Sequence, residues 1–353
     1  MDLAKALSDV SGDFAPVTPG RTFHFPEDHG EHPGYKTEWW YVTGNLSDEE
    51  GRSYGYQLTF FSTGLPTRAT PADSPWTASR VMMGHLAVSD PSESKFRSYE
   101  RFSRRALDLA GVRNGKDGLE VWLEVWSLAR AQNGRWTLRA SEGGSRSEKV
   151  ELELELREEK PPVLQGDGGY SRKGPEPQYS SYYVSLTRLS TSGALTLGER
   201  RMKVSGSSWF DHEWSSQALA PGLVGWDWFS LQLDDGWELM IYLLRYADGR
   251  LEPASSGVLI DPQGHSEELG LEDFQMRVTE RYRSRNGVEY PSSWQLEVPS
   301  RRLALRVTPL MQDQEMKSSV PYWEGAVKIE GTREGQQIGG KGFVELTGYD
   351  KTQ

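Results

Sequence analysis

The sequence predicts an all-β protein that consists of two tandem antiparallel β-barrels. Three observations lead to this prediction. Apolar and polar residues alternate in many short segments, Gly, Asp and Asn residues separate these segments, and four segments of the first half recur in the same order in the second half. Stretches with helical periodicity are few.

Alternation is clearest at residues 150–158, VELELELRE, where Val and Leu side chains share one face and glutamates take the other. Residues 119–128, 182–189 and 237–245 show a similar pattern that is rich in aromatic and branched side chains. We interpret each of these segments as one strand. Turns are predicted at three Gly-containing stretches: 132–134, 234–236 and 247–249.

The internal similarity defines the predicted domains. Residues 37–46, TEWWYVTGNL, are similar to residues 226–236, WDWFSLQLDDG, and three further pairs follow in order: 135–140 with 293–298, 182–193 with 322–335, and 203–214 with 337–348. We therefore predict a tandem duplication, with an N-terminal barrel over 22–219 and a C-terminal barrel over 220–353. The Pro- and Gly-rich residues 158–178 fall inside the first repeat, and we predict that they form a mouth loop or lid.

The composition of the 353 residues excludes several classes of protein. The chain has no cysteine, which rules out disulfides, thiol nucleophiles and zinc-thiolate sites. A net charge of −11 argues against nucleic acid as a partner. No apolar run approaches the roughly 20 residues of a membrane helix, so no transmembrane segment is expected. The 13 tryptophans suit a wide apolar pocket, and equally an ordinary β-core.

The segment SSWFDHEWSS, residues 207–216, places ionisable residues among large aromatic rings. Asp211, His212 and Glu213 are therefore predicted catalytic residues, because buried acids and imidazoles with shifted pKa values can transfer protons. Strand alternation puts Asp211 and Glu213 on one face and His212 on the other, unless the strand is bulged. The alternative is a polar lining that satisfies backbone groups at the end of a barrel.

Other acids and a further histidine extend the candidate site. His85 is a fourth catalytic candidate, although a lone histidine in an apolar strand is more often a core residue with satisfied hydrogen bonds. Glu38 and its repeat partner Asp227 are either pocket residues or acids that stabilise the first strand of each barrel. The predicted ligand-binding residues are Glu38, Trp39, Trp40, Tyr183, Trp209, Trp214, Asp227 and Trp228.

Histidines and acids also cluster in FHFPEDHGEHP, residues 23–33, and such side chains can bind metals. Their spacing matches no tight metal motif, and Gly30 with two prolines indicates a solvated loop. We therefore predict no metal and no cofactor. The motifs of α/β-hydrolases, P-loop NTPases and dinucleotide-binding enzymes are absent from the sequence.

Long segments of the chain resemble one known family: HPGYKTEWWYVTGNL (32–46), YGYQLTFFSTGL (54–65), SRVMMGHLAVSD (79–90), VSGSSWFDHEWSSQAL (204–219), GWDWFSLQLDDGWELMIYLLR (225–245) and the closing YWEGAV…GKGFVELTGY (322–349). By these segments the chain is identified as a member of the AttH-like, carotenoid 1,2-hydratase-like family, often labelled predicted secreted hydrolases. The resemblance runs from about Phe23 to Tyr349. It implies two tandem lipocalin-like (calycin) barrels.

The resemblance also implies a function. Hydratases of this family add water to the terminal double bond of an acyclic carotenoid, which requires an acid that protonates the alkene. We accordingly expect a hydrophobic, isoprenoid- or lipid-like ligand, with Asp211 as proton donor and His212, Glu213 or His85 orienting water. The alternatives are a non-catalytic carrier that passes its ligand to an ABC transporter, and a scaffold whose barrels are filled.

The resemblance finally suggests a location. Members of the most similar branch are secreted and usually begin with a leader. The opening MDLAKALSDV lacks the apolar core of a leader, so we expect the sequence to start at the mature terminus of a periplasmic or secreted protein. The alternative is a cytoplasmic protein.

Overall fold

The computed structural model describes residues 14–65, 79–217 and 219–350. Over these ranges the chain forms 23 β-strands and three 3-10 helices, at Glu27–His29, Pro91–Glu93 and Pro299–Arg301. The strands make two curled antiparallel sheets, and the prediction of an all-β protein with two lipocalin-like barrels is confirmed. Within the described ranges, no helix has the length and apolar character needed to cross a membrane.

The first sheet contains the thirteen strands that are described before residue 216. Their bounds are β1 Thr37–Asp48, β2 Ser53–Gly64, β3 Arg80–Asp90, β4 Lys95–Arg104, β5 Ala110–Gly115, β6 Gly118–Leu123, β7 Trp126–Arg130, β8 Arg135–Glu142, β9 Val150–Glu158, β10 Val163–Leu164, β11 Tyr170–Arg172, β12 Ser180–Leu197 and β13 Arg200–Ser215. The strand order is β4-β3-β2-β1-β13-β12-β9-β8-β7-β6-β5, and β10 and β11 pair with β12. The edge strands β4 and β5 are consecutive in the chain.

The second sheet contains the remaining ten strands of the described chain. Their bounds are β14 Leu223–Leu233, β15 Glu238–Tyr246, β16 Ser256–Ile260, β17 Ser266–Gly270, β18 Gln275–Arg283, β19 Glu289–Val298, β20 Leu303–Pro309, β21 Glu315–Met316, β22 Tyr322–Arg333 and β23 Gln336–Leu346. The strand order is β17-β16-β15-β14-β23-β22-β20-β19-β18, and β21 pairs with β22. The domain bounds 22–219 and 220–353 stay a prediction.

Most predicted strands form where alternation indicates, but residues 119–128 fold differently. They make a hairpin of β6 and β7 in which Leu123 pairs with Trp126, so the loop has only two residues. Glu124 in that loop has a φ of +55°, a conformation that such tight loops require and that Gly or Asn usually supplies. Because the loop sequence is Glu-Val, alternation runs through it without a turn signal.

Each sheet encloses its own apolar core. Large buried rings fill the first barrel, among them Trp40, Trp126 and Trp136. The second barrel is filled in the same way by a cluster that includes Trp294 and Trp323. These side chains occupy the interior space in which an open barrel of this size would hold a ligand.

A third apolar cluster lies between the two sheets. Outward-facing side chains of β1, β12 and β13 meet those of β14, β15 and β23, and Tyr41, Trp209 and Trp228 are among its buried members. Three residues of the segment 158–178 reach this junction: Val163 belongs to the same cluster, Lys160 donates to Glu238, and Ser171 donates to Tyr242. The sheets therefore join through a buried layer that belongs to neither barrel interior.

Candidate functional site

The segment 207–216 contributes to two different sites, because β13 presents alternate side chains to opposite faces. Trp209 and Asp211 point outward to the second sheet, where Trp209 joins the apolar cluster between the sheets. His212 points into the first barrel, where it meets Glu38. We call the outward group the inter-sheet site and the inward group the inner cluster.

Asp211, in the inter-sheet site, accepts hydrogen bonds from three donors. The Tyr183 hydroxyl donates to Oδ2 at 2.6 Å, and the Ser185 hydroxyl and Trp209 indole donate to Oδ1 at 2.5 and 2.6 Å. Asp211 is only 3% exposed. Burial raises its pKa to about 7, against the opposing effect of the three donors. Asp211 can therefore exchange a proton near neutral pH.

A pair of glutamates from the second sheet completes the inter-sheet site. Glu324 of β22 and Glu345 of β23 are opposite each other in the antiparallel register, and their carboxyl groups lie close enough to repel each other when both are ionised. The Tyr41 hydroxyl donates to Glu324 at 2.5 Å, and the Trp226 indole donates to Glu345 at 2.6 Å. Burial and this repulsion both favour the neutral form of at least one member of the pair.

Burial is the main cause of the raised pKa values of these two glutamates. It raises the pKa of Glu345 to about 7. Burial, followed by repulsion from Glu345, raises the pKa of Glu324 well above its ordinary value. Glu324 is fully buried, whereas Glu345 is partly exposed, so Glu345 is the member of the pair that solvent or a ligand can reach.

Aromatic side chains connect the acids of the two sheets. The Trp228 indole donates to the Tyr183 hydroxyl oxygen at 3.0 Å, and Trp228 is opposite Glu345 in the register of β14 and β23. Tyr41 lies against Trp228 with ring centres 5.2 Å apart. Trp39 contacts this cluster and is only partly buried. The acids are thus surrounded by rings, some of which reach the surface.

Two other predicted catalytic residues lie at the margins of the inter-sheet site. Glu213 forms an ion pair with Lys173, whose Nζ is 3.2 Å away and lies over two tyrosine rings. His85 lies with Nδ1 2.7 Å from the Tyr322 hydroxyl and with Nε2 3.0 Å from the Glu100 carboxylate. Since both ring nitrogens have partners, His85 reaches the acids only through Tyr322, which interacts electrostatically with the buried glutamates.

The inner cluster combines Glu38 with two histidines and Asp28. Glu38 Oε1 is 2.9 Å from His212 Nε2 and 2.8 Å from His32 Nδ1. The other ring nitrogens face Asp28: His32 Nε2 is 3.1 Å from its carboxylate, and His212 Nδ1 is 3.1 Å from its backbone carbonyl oxygen. The interpretation of residues 23–33 as a solvated loop is wrong, because Asp28 is buried there together with its neighbour in the 3-10 helix.

The inner cluster holds its acids in the ionised form. Burial acts to raise the pKa of Glu38, but hydrogen bonds from His212 and His32 outweigh it and lower the pKa to about 2. Burial lowers the pKa of His212. The pKa of His32 is raised, since hydrogen bonds with Asp28 and Glu38 outweigh burial. The ligand atoms of His32, Glu38 and His212 lie within 4.8 Å of one another, and this trio has the geometry to hold a metal.

The structure divides the predicted ligand-binding residues among three places. Those in the inter-sheet site are Trp39, Tyr183, Trp209 and Trp228. Trp40 and Trp214 belong to the first barrel and stack on the rings of His212 and His32, with centres 4.9 and 3.7 Å apart. Asp227 lies inside the second barrel and forms an ion pair with Arg245 at 2.9 Å. The last three residues therefore do not line the inter-sheet site.

Sequence reasoning missed the glutamate pair. The repeat alignment with residues 203–214 includes Glu345, but no sequence pattern marks Glu324 as a candidate. The alignment could have identified Glu345, because it gives Glu345 the position in the second repeat that Asp211 has in the first. Acids at equivalent outward positions meet when two such sheets pack face to face.

These observations define an all-β protein in which two barrel-like sheets enclose an acidic and aromatic site between their outer faces. The profile of the AttH-like family matches residues 16–349, and the chain belongs to that family. An AttH protein of known structure, from Nitrosomonas europaea, is 35% identical, with a TM-score of 0.83 over 95% of this chain and 100% of that chain.

Two more distant structures share the fold. Kievitone hydratase from Nectria haematococca is 15% identical, with a TM-score of 0.69 over 96% of this chain and 99% of its own. The structure of CghA with Sch210972 is 13% identical, with a TM-score of 0.59 over 99% and 98%. No curated protein matches the chain.

Proposed function

We propose that this protein binds a hydrophobic, isoprenoid- or lipid-like small molecule in the inter-sheet site and hydrates or isomerises it by acid–base catalysis. The observation that carries the proposal is that the facing carboxyl groups of Glu324 and Glu345 lie beside Asp211 within a layer of aromatic side chains. A buried neutral carboxyl group in apolar surroundings is the kind of acid that can protonate an alkene. Family membership and the hydratase among the structures of similar fold support the same choice.

We propose a different role for each acid. Glu345 is the member of the pair that a ligand can reach, so its neutral carboxyl group protonates the alkene carbon and becomes a carboxylate, while Glu324 stays neutral beside it. The C–H bond forms as the double bond becomes a carbocation, which the face of Trp228 stabilises. Asp211 accepts three hydrogen bonds and so acts as the base: water forms the C–O bond and gives its proton to the Asp211 carboxylate. Asp211 then releases this proton and Glu345 takes one up through solvent, which restores both acids. The sequence suggests Asp211 as the proton donor, whereas in this proposal Glu345 is the donor and Asp211 is the base.

The experiment uses heavy-oxygen water. Purified protein is incubated in it with isoprenoids and lipids extracted from the source cells, and products are identified by mass spectrometry. Wild type should yield a product that gains one molecule of the labelled water. We expect Glu345→Gln to keep ligand binding and to lower turnover by about 10²-fold or more, because the acid is lost while the shape is kept.

The matched control is Glu315→Gln. Glu315 is also a buried glutamate with a tyrosine donor, Tyr290, but it lies in the second barrel and not in the inter-sheet site. Its turnover should equal that of wild type. If wild type binds a molecule and releases it neither labelled nor isomerised, as judged by mass and chromatographic retention, catalysis is rejected and the non-catalytic carrier is favoured. Absence of any bound molecule would reject both functions in favour of a filled scaffold.

Two further expectations rest on family membership alone. Association with an ABC transporter and a periplasmic or secreted location stay predictions. Neither is needed for the reaction proposed here.

A further inference from the structure

The inner cluster brings two imidazole nitrogens to one carboxylate oxygen. Three potential ligand atoms converge there from separate parts of the chain: His32 Nδ1 from the segment before β1, Glu38 Oε1 from β1, and His212 Nε2 from β13. Glu38 and His212 are fully buried, and the side chain of His32 is 10% exposed. We propose that His32, Glu38 and His212 form a binding site for one divalent transition-metal ion of the zinc class.

The backbone contact of His212 fixes the position of its ring hydrogen. Its Nδ1 faces the backbone carbonyl oxygen of Asp28 at 3.1 Å, and a carbonyl oxygen only accepts, so Nδ1 carries the hydrogen. In a neutral imidazole the opposite nitrogen, Nε2, then has a lone pair. That lone pair points at the Glu38 carboxylate from 2.9 Å. Two acceptors at this distance repel unless a positive centre lies between them.

His32 lies between two acceptors. Its Nε2 is 3.1 Å from the Asp28 carboxylate, and its Nδ1 is 2.8 Å from Glu38. A neutral ring has one N–H, so with both carboxylates ionised His32 fills both contacts only as an imidazolium. If His212 also carries two ring hydrogens, two imidazolium rings lie with their centres 5.5 Å apart in a buried cluster, where they repel each other. One divalent ion, bound to His32 Nδ1 and His212 Nε2, replaces both extra protons.

The surroundings of the trio match those of a metal site. Histidine ligands almost always donate their second ring N–H to a carboxylate or a backbone carbonyl, which fixes the tautomer and the ring orientation. Asp28 provides both kinds of acceptor, its carboxylate for His32 and its carbonyl for His212. Arg21 in turn donates to the Asp28 carboxylate at 2.6 Å. The residues behind the ligands are therefore already in place.

The dimensions fit with a small adjustment. In a tetrahedral zinc site with bonds of about 2.0–2.1 Å, neighbouring ligand atoms are roughly 3.3 Å apart. The Glu38 contacts of 2.8 and 2.9 Å would have to lengthen by about 0.4–0.5 Å. The two histidine nitrogens, which lie within 4.8 Å of each other, would have to take a similar separation, and side-chain rotation allows both changes. Two histidines and one carboxylate form a common zinc ligand set, with the fourth position left for water. The exposed edge of His32 gives an ion its path into the site.

The experiment uses the full chain without a histidine tag, stripped of metals by a chelator and dialysed. Co²⁺ is titrated into the protein and its visible d–d absorption is recorded, and the metal content is measured by elemental mass spectrometry. We expect one Co²⁺ per chain, an absorption band of a four- or five-coordinate site, and displacement by Zn²⁺. The variant His32→Ala should bind Co²⁺ at least tenfold more weakly.

The matched control is His265→Ala. His265 is also paired with an aspartate, Asp261, but its side chain is 82% exposed and lies far from the trio in the sequence. This variant should bind Co²⁺ like wild type. His32 is at the surface side of the cluster, and circular dichroism with thermal unfolding establishes that the variant is folded. Equal Co²⁺ affinity in wild type and His32→Ala, or no uptake by folded wild type, would overturn the proposal. These readouts involve no turnover, so they are independent of the proposed reaction.

Discussion

The replacement Asp211→Asn tests the central premise, that this buried acid is neutral in the folded protein below about pH 7. Asn keeps the size and the neutral charge of a protonated Asp. Its carbonyl oxygen can keep the Trp209 and Ser185 donors, which both bind Oδ1, and its amide can donate to the Tyr183 oxygen. The variant should therefore fold and differ from wild type mainly in its dependence on pH.

The size of the effect follows from the pKa of Asp211. Its pKa is 3.8 in an unfolded chain and about 7 in the folded protein, a difference of about three pH units. Each unit corresponds to about 1.4 kcal/mol, so ionisation costs the folded state about 4 kcal/mol. Because the folded pKa is raised, the folded state binds more protons than the unfolded state between these values. The stability of wild type therefore falls as pH rises from about 4 to 7, and the Asn variant lacks this loss.

The assay is urea unfolding of both proteins from pH 4 to pH 8, followed by fluorescence of the 13 tryptophans. We expect the free energy of unfolding of Asp211→Asn, relative to wild type, to increase by about 4 kcal/mol across this range. Taking the difference removes the contribution of the other titrating groups that both proteins share. A difference that stays constant with pH would refute the assignment of a raised pKa to Asp211. It would also remove the basis for its role as a base at neutral pH.

Two further predictions concern the contacts that join the sheets. Lys160 donates to Glu238 and to two backbone carbonyls. Lys160→Met should therefore lower the free energy of unfolding by about 3 kcal/mol, because buried acceptors lose their donor. An unchanged urea midpoint would contradict this. A Cβ at Gly55 would lie 2.4 Å from the Cβ of Ala326 in the other sheet. Gly55→Ala should therefore cost about 1–3 kcal/mol in thermal unfolding, whereas Gly34→Ala, with open space around it, should not.

The fold could be predicted because it depends on patterns that are local in sequence. Residues 150–158 alternate strictly and form β9 over that exact range, since one side of the strand is buried and the other is wet. The hairpin at residues 119–128 was missed because its loop contains no turn residue. The pairing of β6 with β7 compensates the cost of the positive φ at Glu124. Residue propensities do not predict this pairing.

The site was only partly predictable because it depends on contacts between distant segments. Asp211 could be selected from its aromatic neighbours, but its closeness to Glu345 depends on how two sheets pack. His32 was assigned to a loop, and its partner Glu38 to a strand. Their meeting with His212 requires the chain before β1 to fold back over the end of the first barrel. No spacing rule in the sequence encodes that return.

The contrast between Glu38 and Asp211 explains why burial alone cannot assign a role to an acid. Both are almost completely buried, and they lie on neighbouring strands of one sheet. Yet the pKa of Glu38 is lowered to about 2, while that of Asp211 is raised to about 7. The partners cause the difference: Glu38 faces two imidazoles, which can carry charge or share a cation, whereas Asp211 faces neutral hydroxyl and indole donors and the negative charge of Glu213. Since environments that separate pKa values also separate roles, Glu38 is suited to hold a cation, and Asp211 to exchange a proton.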